Sequence, residues 1–490
     1  MSPIPETVLP TSSQLDKARS SLVKTLPREG LGEQTALDHI RNDICPALNN
    51  SSKSPNYYGF VTGGTTPAAA FADNLVTEFD QNAQVHLPNE TITTDVEDRA
   101  LSLLCELLDL EPADWKHKIF TTGATASNIL GLACGRQYII EEAARRNDSN
   151  CILFKASVAQ SGLMQAMRYA EVDDIRILTT VPHSSLAKAA SILGLGRDAV
   201  KLFGRKDKSH KFDMTLLEYE LSKHKIASIV AISCGDVNTG FYATTGAEMS
   251  KIRKLCNQYG AWLHVDGAFG LMARILNSDP SSSTSILDGV ANIELADSIT
   301  GDGHKLLNVP YDCGFFFSRH PGIGLEVFQN QGAAYLCTSP VDDNAIISPL
   351  NIGLENSRRF RALPVYANLL IYGEEGYRKM LWEQMELAQR IAEFISNHEG
   401  YEVLPKGNHP DNVFIVVLFK AKDETLNDVL VTRINETSKI YVSGTVWDGE
   451  KACRFAVSNW QADAEKDIKI IGDVLERVHA DFLVNSLRGS

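Results

Sequence analysis

A surplus of basic charge, paired cysteines, long apolar runs and internal repeats are all missing from this chain. Each absence removes a class of function. The 490 residues carry 47 Lys and Arg against 61 Asp and Glu, a formal charge of −14, which argues against a nucleic-acid or anionic-membrane surface as the main partner. Small substrates are not constrained by this, since a local pocket can differ from the global field. The nine cysteines are dispersed without any Cys-x-x-Cys pair. Such a set points to free thiols in a reducing compartment, the cytosol by default, and no metal is expected. The longest apolar stretches, such as Val413–Phe419, are far too short to cross a bilayer. Met1-Ser-Pro-Ile-Pro-Glu6 lacks a basic segment followed by an apolar one, so no secretory signal is expected.

What is present is ordinary for a globular protein: 44% apolar and 22% charged residues, with length for one large domain and one or two smaller ones. Residues 1–75 are expected to form an N-terminal segment of helices and loops. In Glu97–Leu110, Leu101, Leu104, Cys105 and Leu108 share a helical face. From about 118 to 320, short apolar runs alternate with amphipathic segments. Lys118–Thr121, Cys151–Phe154, Ile226–Ile232 and Ala261–Asp266 read as buried strands, predicting a mostly parallel sheet covered on both faces. Residues 323–350 read as a mobile loop. A helix with Leu381, Met385, Ala388, Ile391 and Ile395 inward stops near Gly400. Strands around Asn412–Phe419 and Ala452–Ser458, then a helix over Ile468–Leu483, complete a small α+β domain. The expected division is 1–75, 76–360 and 361–490.

Three segments carry chemistry. Thr121-Thr-Gly-Ala-Thr-Ala-Ser-Asn128 follows a strand and opens a helix, where backbone N–H groups and small side chains suit an anion such as phosphate. Read alone, it is more readily a capped helix after a turn, since small residues are common there. Leu263-His-Val-Asp266-Gly-Ala-Phe-Gly270 ends a strand in an acid, at the edge where ligands bind a parallel sheet. A carboxylate there suits a protonated ring nitrogen, and equally caps a turn. Further on, Lys305 lies between His304 and Leu306, and partial desolvation there favours imine formation with a carbonyl. A lone lysine is ordinarily a solvated surface charge. The order of the three on one α/β pattern is what changes the reading, with His183 opening a helix between the first two.

With these motifs in hand, the chain resembles the group II decarboxylases that depend on pyridoxal phosphate (PLP), among them aromatic-L-amino-acid, tyrosine, histidine and glutamate decarboxylases. The resemblance runs from about Pro55 to His479. Its most specific pieces are His183-Ser-Ser-Leu186, His264-Val-Asp-Gly-Ala-Phe-Gly270, Asp302-Gly-His-Lys-Leu-Leu-Asn-Val-Pro-Tyr-Asp-Cys313 and Ser357-Arg-Arg-Phe-Arg-Ala-Leu363. It implies the fold of PLP-dependent transferases (fold type I), an α/β architecture, and a homodimer with shared active sites. It also implies Lys305 as the cofactor lysine, Asp266 as partner of the ring nitrogen and His183 as the stacking ring. Ala124, Thr125 and Asp302 would serve the phosphate, with Ser233, Ala268 and His304 close to the cofactor. The family often has Asn where this chain has Asp302. In Ala333-Ala-Tyr335-Leu-Cys-Thr-Ser339 the resemblance makes Tyr335 the proton donor after CO2 leaves, with His304 a second candidate. Tyrosine there goes with amine rather than aldehyde as product.

The substrate pocket is expected to involve Tyr57, Tyr58, Phe60 and Val61, with His86 and Leu87 from a second subunit. Arg454 is a candidate for the substrate carboxylate, and equally a structural arginine. Ser357 goes with phenolic substrates in some relatives. An aromatic, tyrosine-like amino acid is the expected substrate. Three alternatives stay open: oxidative decarboxylation–deamination to an aldehyde, lyase or transaminase chemistry on the same scaffold, and a non-catalytic homodimeric interaction protein.

Overall fold

Apolar strands that run fully buried from end to end have to be covered on both faces, and they organise the larger part of this chain. The computed structural model describes residues 5–148, 150–277, 284–330 and 346–489. Two units emerge: residues 65–382 with 411–414, and residues 1–64 with 383–410 and 415–490. This grouping differs from the expected one, because the N-terminal segment clusters with C-terminal residues rather than standing apart.

In the larger unit seven strands form one sheet: β1 (His117–Thr121), β2 (Asp174–Thr179), β3 (Val200–Leu202), β4 (Ile226–Ser233), β5 (Trp262–Asp266), β6 (Ser298–Asp302) and β7 (Gly314–Ser318). Their order is β1-β7-β6-β5-β4-β2-β3. All pairs from β6 through β3 are parallel, while β7 runs antiparallel between β1 and β6. The sheet is therefore mostly parallel, as predicted. One expected strand is not there: Leu153–Ala156 is a single helical turn. A run of four apolar residues fits either element, and only length or neighbours can decide.

Four helices of the larger unit matter for the site: α1 (Thr93–Leu107), α2 (Ala124–Asn147), α3 (Ser184–Ile192) and α4 (Gly246–Tyr259). Helix α2 buries Leu130, Leu132, Cys134 and Ile140 in one cluster with Ile229, Ala231 and Trp262 of the sheet. Each such side chain contributes about 1.5–3 kcal/mol on burial. Arg145 and Arg146 in its last turn complement the helix dipole. Gly131 sits mid-helix because a Cβ there would lie 2.4 Å from His264 Cε1. The glycine admits a polar side chain beneath a helix that is otherwise apolar on its inner face.

The smaller unit has a five-stranded sheet in the order 57–58, 441–447, 450–456, 416–421 and 401–404. The predicted strands near 412–419 and 452–458 fall within it. The helical run Ala362–Asn397, broken at Gly373 and beginning in the larger unit, and the helix Ala464–Gly489 correspond to the two expected late helices. Leu381, Met385, Ala388, Ile391 and Ile395 are all buried. Among the described residues, no helix is long and apolar enough to cross a membrane.

Candidate active site

The parallel registers align Ser233, Asp266 and Thr300 side by side at the carboxyl ends of β4, β5 and β6. Strand alternation then puts Ser298, Thr300 and Asp302 on one face of β6, and His264 and Asp266 on the same face of β5. This seam of polar groups lies at the edge where parallel sheets take ligands.

At one end, Asp302 joins two of the predicted elements. Its Oδ1 accepts a 2.6 Å hydrogen bond from the Ala124 N–H, and its Oδ2 lies 2.9 Å from Lys305 Nζ. The lysine is about a fifth exposed, whereas Asp302 is buried. Lys305 Nζ also stands 5.9 Å from the centre of the Phe269 ring. The first turn of α2 has no side-chain cap, since its N-cap residue is Gly123. The Asp302 carboxylate takes the Ala124 N–H in place of a cap, and the N–H groups that follow in the turn suit a second anion. This turn packs tightly on β7, where a Cβ on Gly314 would fall 2.5 Å from Gly123 Cα and 2.7 Å from Thr121 Oγ1.

His304 packs on Tyr311 with the rings tilted, 4.4 Å between ring centres. Its Nδ1 accepts from the Cys313 N–H at 3.3 Å, which leaves Nε2 to carry the proton, 3.7 Å from Asp302 Oδ1. Burial holds its pKa below the usual imidazole range, against the opposing pull of Asp302. His304 can therefore present an Nε2–H without carrying charge.

At the other end, Asp266 accepts from Asn128 Nδ2 at 2.9 Å through Oδ2, and from the Ala268 N–H at 3.3 Å through Oδ1. Asn128 Nδ2 also donates to Ser185 Oγ at 3.2 Å, and Asn128 Oδ1 meets His264 Nε2 at 2.9 Å. His264 Nδ1 in turn meets Ser298 Oγ at 2.7 Å, and Trp262 Nε1 donates to that oxygen at 3.0 Å. Complete burial drives the His264 pKa down to about 4, with Asp266 opposing. His183 caps α3, its Nδ1 2.8 Å from Ser185 Oγ and 3.2 Å from the Ser185 N–H. Ser233 donates its hydroxyl to the Val181 carbonyl at 3.0 Å. Thr300, in register with Asp266, keeps a buried hydroxyl that finds no hydrogen-bond partner among the described residues.

Pyridoxal phosphate needs a primary amine for its aldehyde, an anion site for its phosphate and an acid for its ring nitrogen. Lys305, the uncapped start of α2 and Asp266 provide these groups, all in the larger unit at the strand ends, and the residues fit the cofactor. Helix α2 ties the two ends together. Ala124 in its first turn holds Asp302, and Asn128 one turn on holds Asp266. The linking residues Asn128, Ser185 and Ser298 escaped the sequence reading. The available signal was a polar residue at an inward position of α2 facing a histidine within an apolar strand.

Other expectations fare differently. Tyr335 lies outside the described residues. Tyr58 is fully buried in the smaller unit, edge-on to Phe455 and with its hydroxyl accepting from Asn56 at 3.0 Å. It is a core residue, which corrects its assignment to the substrate. Arg454 is also buried and donates to the Gly59 carbonyl at 2.9 Å. That bond supports the structural reading, a brace for the backbone next to Phe60. Phe60 itself is 55% exposed, and Val61 is half-buried. His86 Nδ1 pairs with Thr94 Oγ1 at 2.8 Å, Leu87 is half-buried and Ser357 is exposed. Ser357 precedes Arg358, whose guanidinium is wholly buried against Glu97 at 2.7 Å.

Comparison with known proteins agrees with this geometry. The chain is 26% identical over 424 residues to the L-2,4-diaminobutyrate decarboxylase of Acinetobacter baumannii, covering 83% of this chain and 76% of that protein. It is 24% identical over 456 residues to tyrosine decarboxylase 2 of Arabidopsis thaliana, covering 90% and 76%. The solved structure of Oryza sativa TDC with PLP and tryptamine has the same fold, with a TM-score of 0.79 at 19% identity over 97% of this chain and 94% of that one. Residues 16–422 match the pyridoxal-dependent decarboxylase conserved domain. The chain belongs to the pyridoxal-dependent decarboxylase family and is an amino-acid decarboxylase that uses pyridoxal phosphate.

Proposed function

We propose that the enzyme converts an L-amino acid with an aromatic, tyrosine-like side chain to its amine. The observation that carries the site assignment is the Asp302 carboxylate, bonded at once to the Ala124 N–H and to Lys305. When bound, pyridoxal phosphate supplies the electron sink that lets the substrate carboxylate leave as CO2. Lys305 holds the cofactor aldehyde, Ala124 and Thr125 serve its phosphate, Asp266 keeps a proton on its ring nitrogen and His183 covers its face. Ser233, Ala268 and Asp302 complete the walls. The carbon that loses CO2 takes up one proton in its place. His304 offers one from Nε2, and Tyr335 is the donor that the family resemblance implies.

The exposed Phe60 and the tyrosine decarboxylase relative support an aromatic substrate. A second reading, L-2,4-diaminobutyrate, is favoured by the relative that is 26% identical. We also propose a homodimer in a reducing compartment. Phe71, Phe79 and Ile92, which flank His86 and Leu87 in the chain, are each about two-thirds exposed. The eight described cysteines are all free.

The test is a CO2-release screen over the proteinogenic amino acids plus dihydroxyphenylalanine, 5-hydroxytryptophan and 2,4-diaminobutyrate, with amine identified as the product. Tyrosine or dihydroxyphenylalanine should lead. A lead for diaminobutyrate selects the second reading, and oxygen uptake with aldehyde and no amine overturns both. Lys305→Ala should remove the visible absorption band of the bound cofactor, and a retained band would dismiss Lys305. Light scattering should give twice the monomer mass.

A further inference from the structure

The hydrogen bonds beneath the site have a direction that their end groups impose. The Asp266 carboxylate only accepts, so Asn128 must turn its Nδ2 toward it, at 2.9 Å. The Asn128 Oδ1 then faces His264 Nε2 at 2.9 Å, and that nitrogen must carry the proton. Nδ1 of the same ring is left bare and takes the Ser298 hydroxyl proton at 2.7 Å. From the far end the Trp262 indole, which only donates, reaches the same Ser298 oxygen at 3.0 Å. Both ends demand one orientation for every group between them.

The second amide hydrogen of Asn128 opens a branch. It reaches Ser185 Oγ at 3.2 Å, and with that oxygen accepting, the Ser185 hydroxyl points to His183 Nδ1 at 2.8 Å. The Ser185 N–H donates to the same nitrogen at 3.2 Å. Two donors aimed at Nδ1 put the proton of the neutral ring on Nε2. An imidazolium would set an N–H against an N–H.

We propose that Asn128 is a positioning residue that sets two groups together, orienting Asp266 with one amide hydrogen and, through Ser185, fixing the Nε2–H tautomer of His183 with the other. It rests on the assignment of Asp266 to the ring nitrogen and His183 to the ring face. The consequence is a division of charge. The carboxylate under the ring nitrogen is held ready to accept a proton–nitrogen contact, while the imidazole over a cationic ring is kept from adding a like charge.

The experiment reads the holoenzyme spectroscopically and the protein by NMR. Asn128→Leu keeps the branched shape and removes all three hydrogen bonds of the amide. It should move the midpoint of the cofactor's absorbance–pH titration by about one pH unit or more and weaken cofactor retention about tenfold. The 15N signals of His183, assigned against His183→Gln, should change from the Nε2–H pattern. Ser185→Ala cuts only the branch, and should change the His183 signals while leaving the titration midpoint in place. Asp266→Ala is the control. If it moves the midpoint and Asn128→Leu does not, this inference falls and the Asp266 assignment stands. If neither moves it, both fall. Should Asn128→Leu not fold, unaltered His183 signals in Ser185→Ala overturn the branch, and an unmoved midpoint in Asn128→Asp overturns the link to Asp266.

Discussion

Asp266 has a short list of partners for a group that must hold charge at a strand end: one amide of Asn128 and one backbone N–H of Ala268. Among the described residues no basic side chain hydrogen-bonds to it, which supports the proposal that the cofactor's ring nitrogen is the cation this carboxylate meets. Replacing it removes a half-buried ionic hydrogen bond worth on the order of 2–4 kcal/mol. Asp266→Ala should therefore lower decarboxylation by about 30- to 1,000-fold and speed cofactor loss, measured by CO2 release and gel filtration of the coloured form. Near-normal rates would dismiss the assignment. At this scale the sequence was readable where a residue type is rare in its pattern, as with a lysine after Asp302-Gly-His304 or an acid closing an apolar strand. It was silent on Asn128, because an asparagine near a helix start looks like a cap. Only the packing of α2 over β5 reveals what the amide reaches. Tyr58 illustrates the opposite error: an aromatic beside a presumed pocket was given to the substrate, and burial gives it to the core.

Among elements, α2 does most of the work of locating the site. Its first turn meets the Asp302 carboxylate, its second turn carries Asn128 and its third is opened by Gly131 over His264. Glycine inside a helix costs about 0.5–1 kcal/mol relative to alanine, so Gly131→Ala would be stabilising if space allowed. The 2.4 Å approach to His264 Cε1 reverses the sign. Overpacking costs about 1–3 kcal/mol, and the displaced imidazole would break its bond to Asn128. The variant should melt at lower temperature than the parent and lose cofactor affinity, by calorimetry and absorbance titration. A higher melting temperature would show that the helix can give way. Strands β4 and β5 were legible because their runs are mostly apolar and bounded by polar or turn residues. The Leu153–Ala156 turn was misread for want of length, and β7 was passed over because nothing in Gly314-Phe-Phe-Phe-Ser318 declares the antiparallel direction.

Across the whole molecule, stability leans on groups buried in charged or deliberately uncharged form. Arg358 is enclosed by Glu97, the Phe120 carbonyl at 2.8 Å and the Ala83 carbonyl at 2.7 Å, and so it fastens α1, β1 and two loop segments together. Arg358→Met leaves Glu97 buried without its partner and should cost about 3–5 kcal/mol. Urea unfolding of the pair of variants Arg358→Met and Arg358→Lys would show it. A loss under 1 kcal/mol would mean that water replaces the arginine. Histidine supplies the uncharged case. Burial brings His117 and His264 to about 4, whereas in the unfolded chain they titrate near 6.5. Between those values the unfolded state binds more protons, so stability is complete above about pH 6.5 and falls toward pH 4. The slope is about 1.4 kcal/mol per pH unit for each ring. Unfolding curves between pH 7 and 4 should show this loss, and His117→Asn should remove one ring's share of it, about 1.4 kcal/mol per pH unit.

The contact between β7 and the start of α2 bears on what the chain tolerates in variation. At Gly314 the obstruction is backbone and a β-branched side chain, 2.5 Å and 2.7 Å from where any Cβ would sit, so no change of rotamer relieves it. Selection for growth on a saturation library should then return glycine alone at 314. Gly322 and Gly30, with nothing within 4 Å, should accept nearly every residue. The constraint falls where the anion-binding turn is pressed against the sheet, and a family resemblance would persist there after most of the surrounding sequence had drifted.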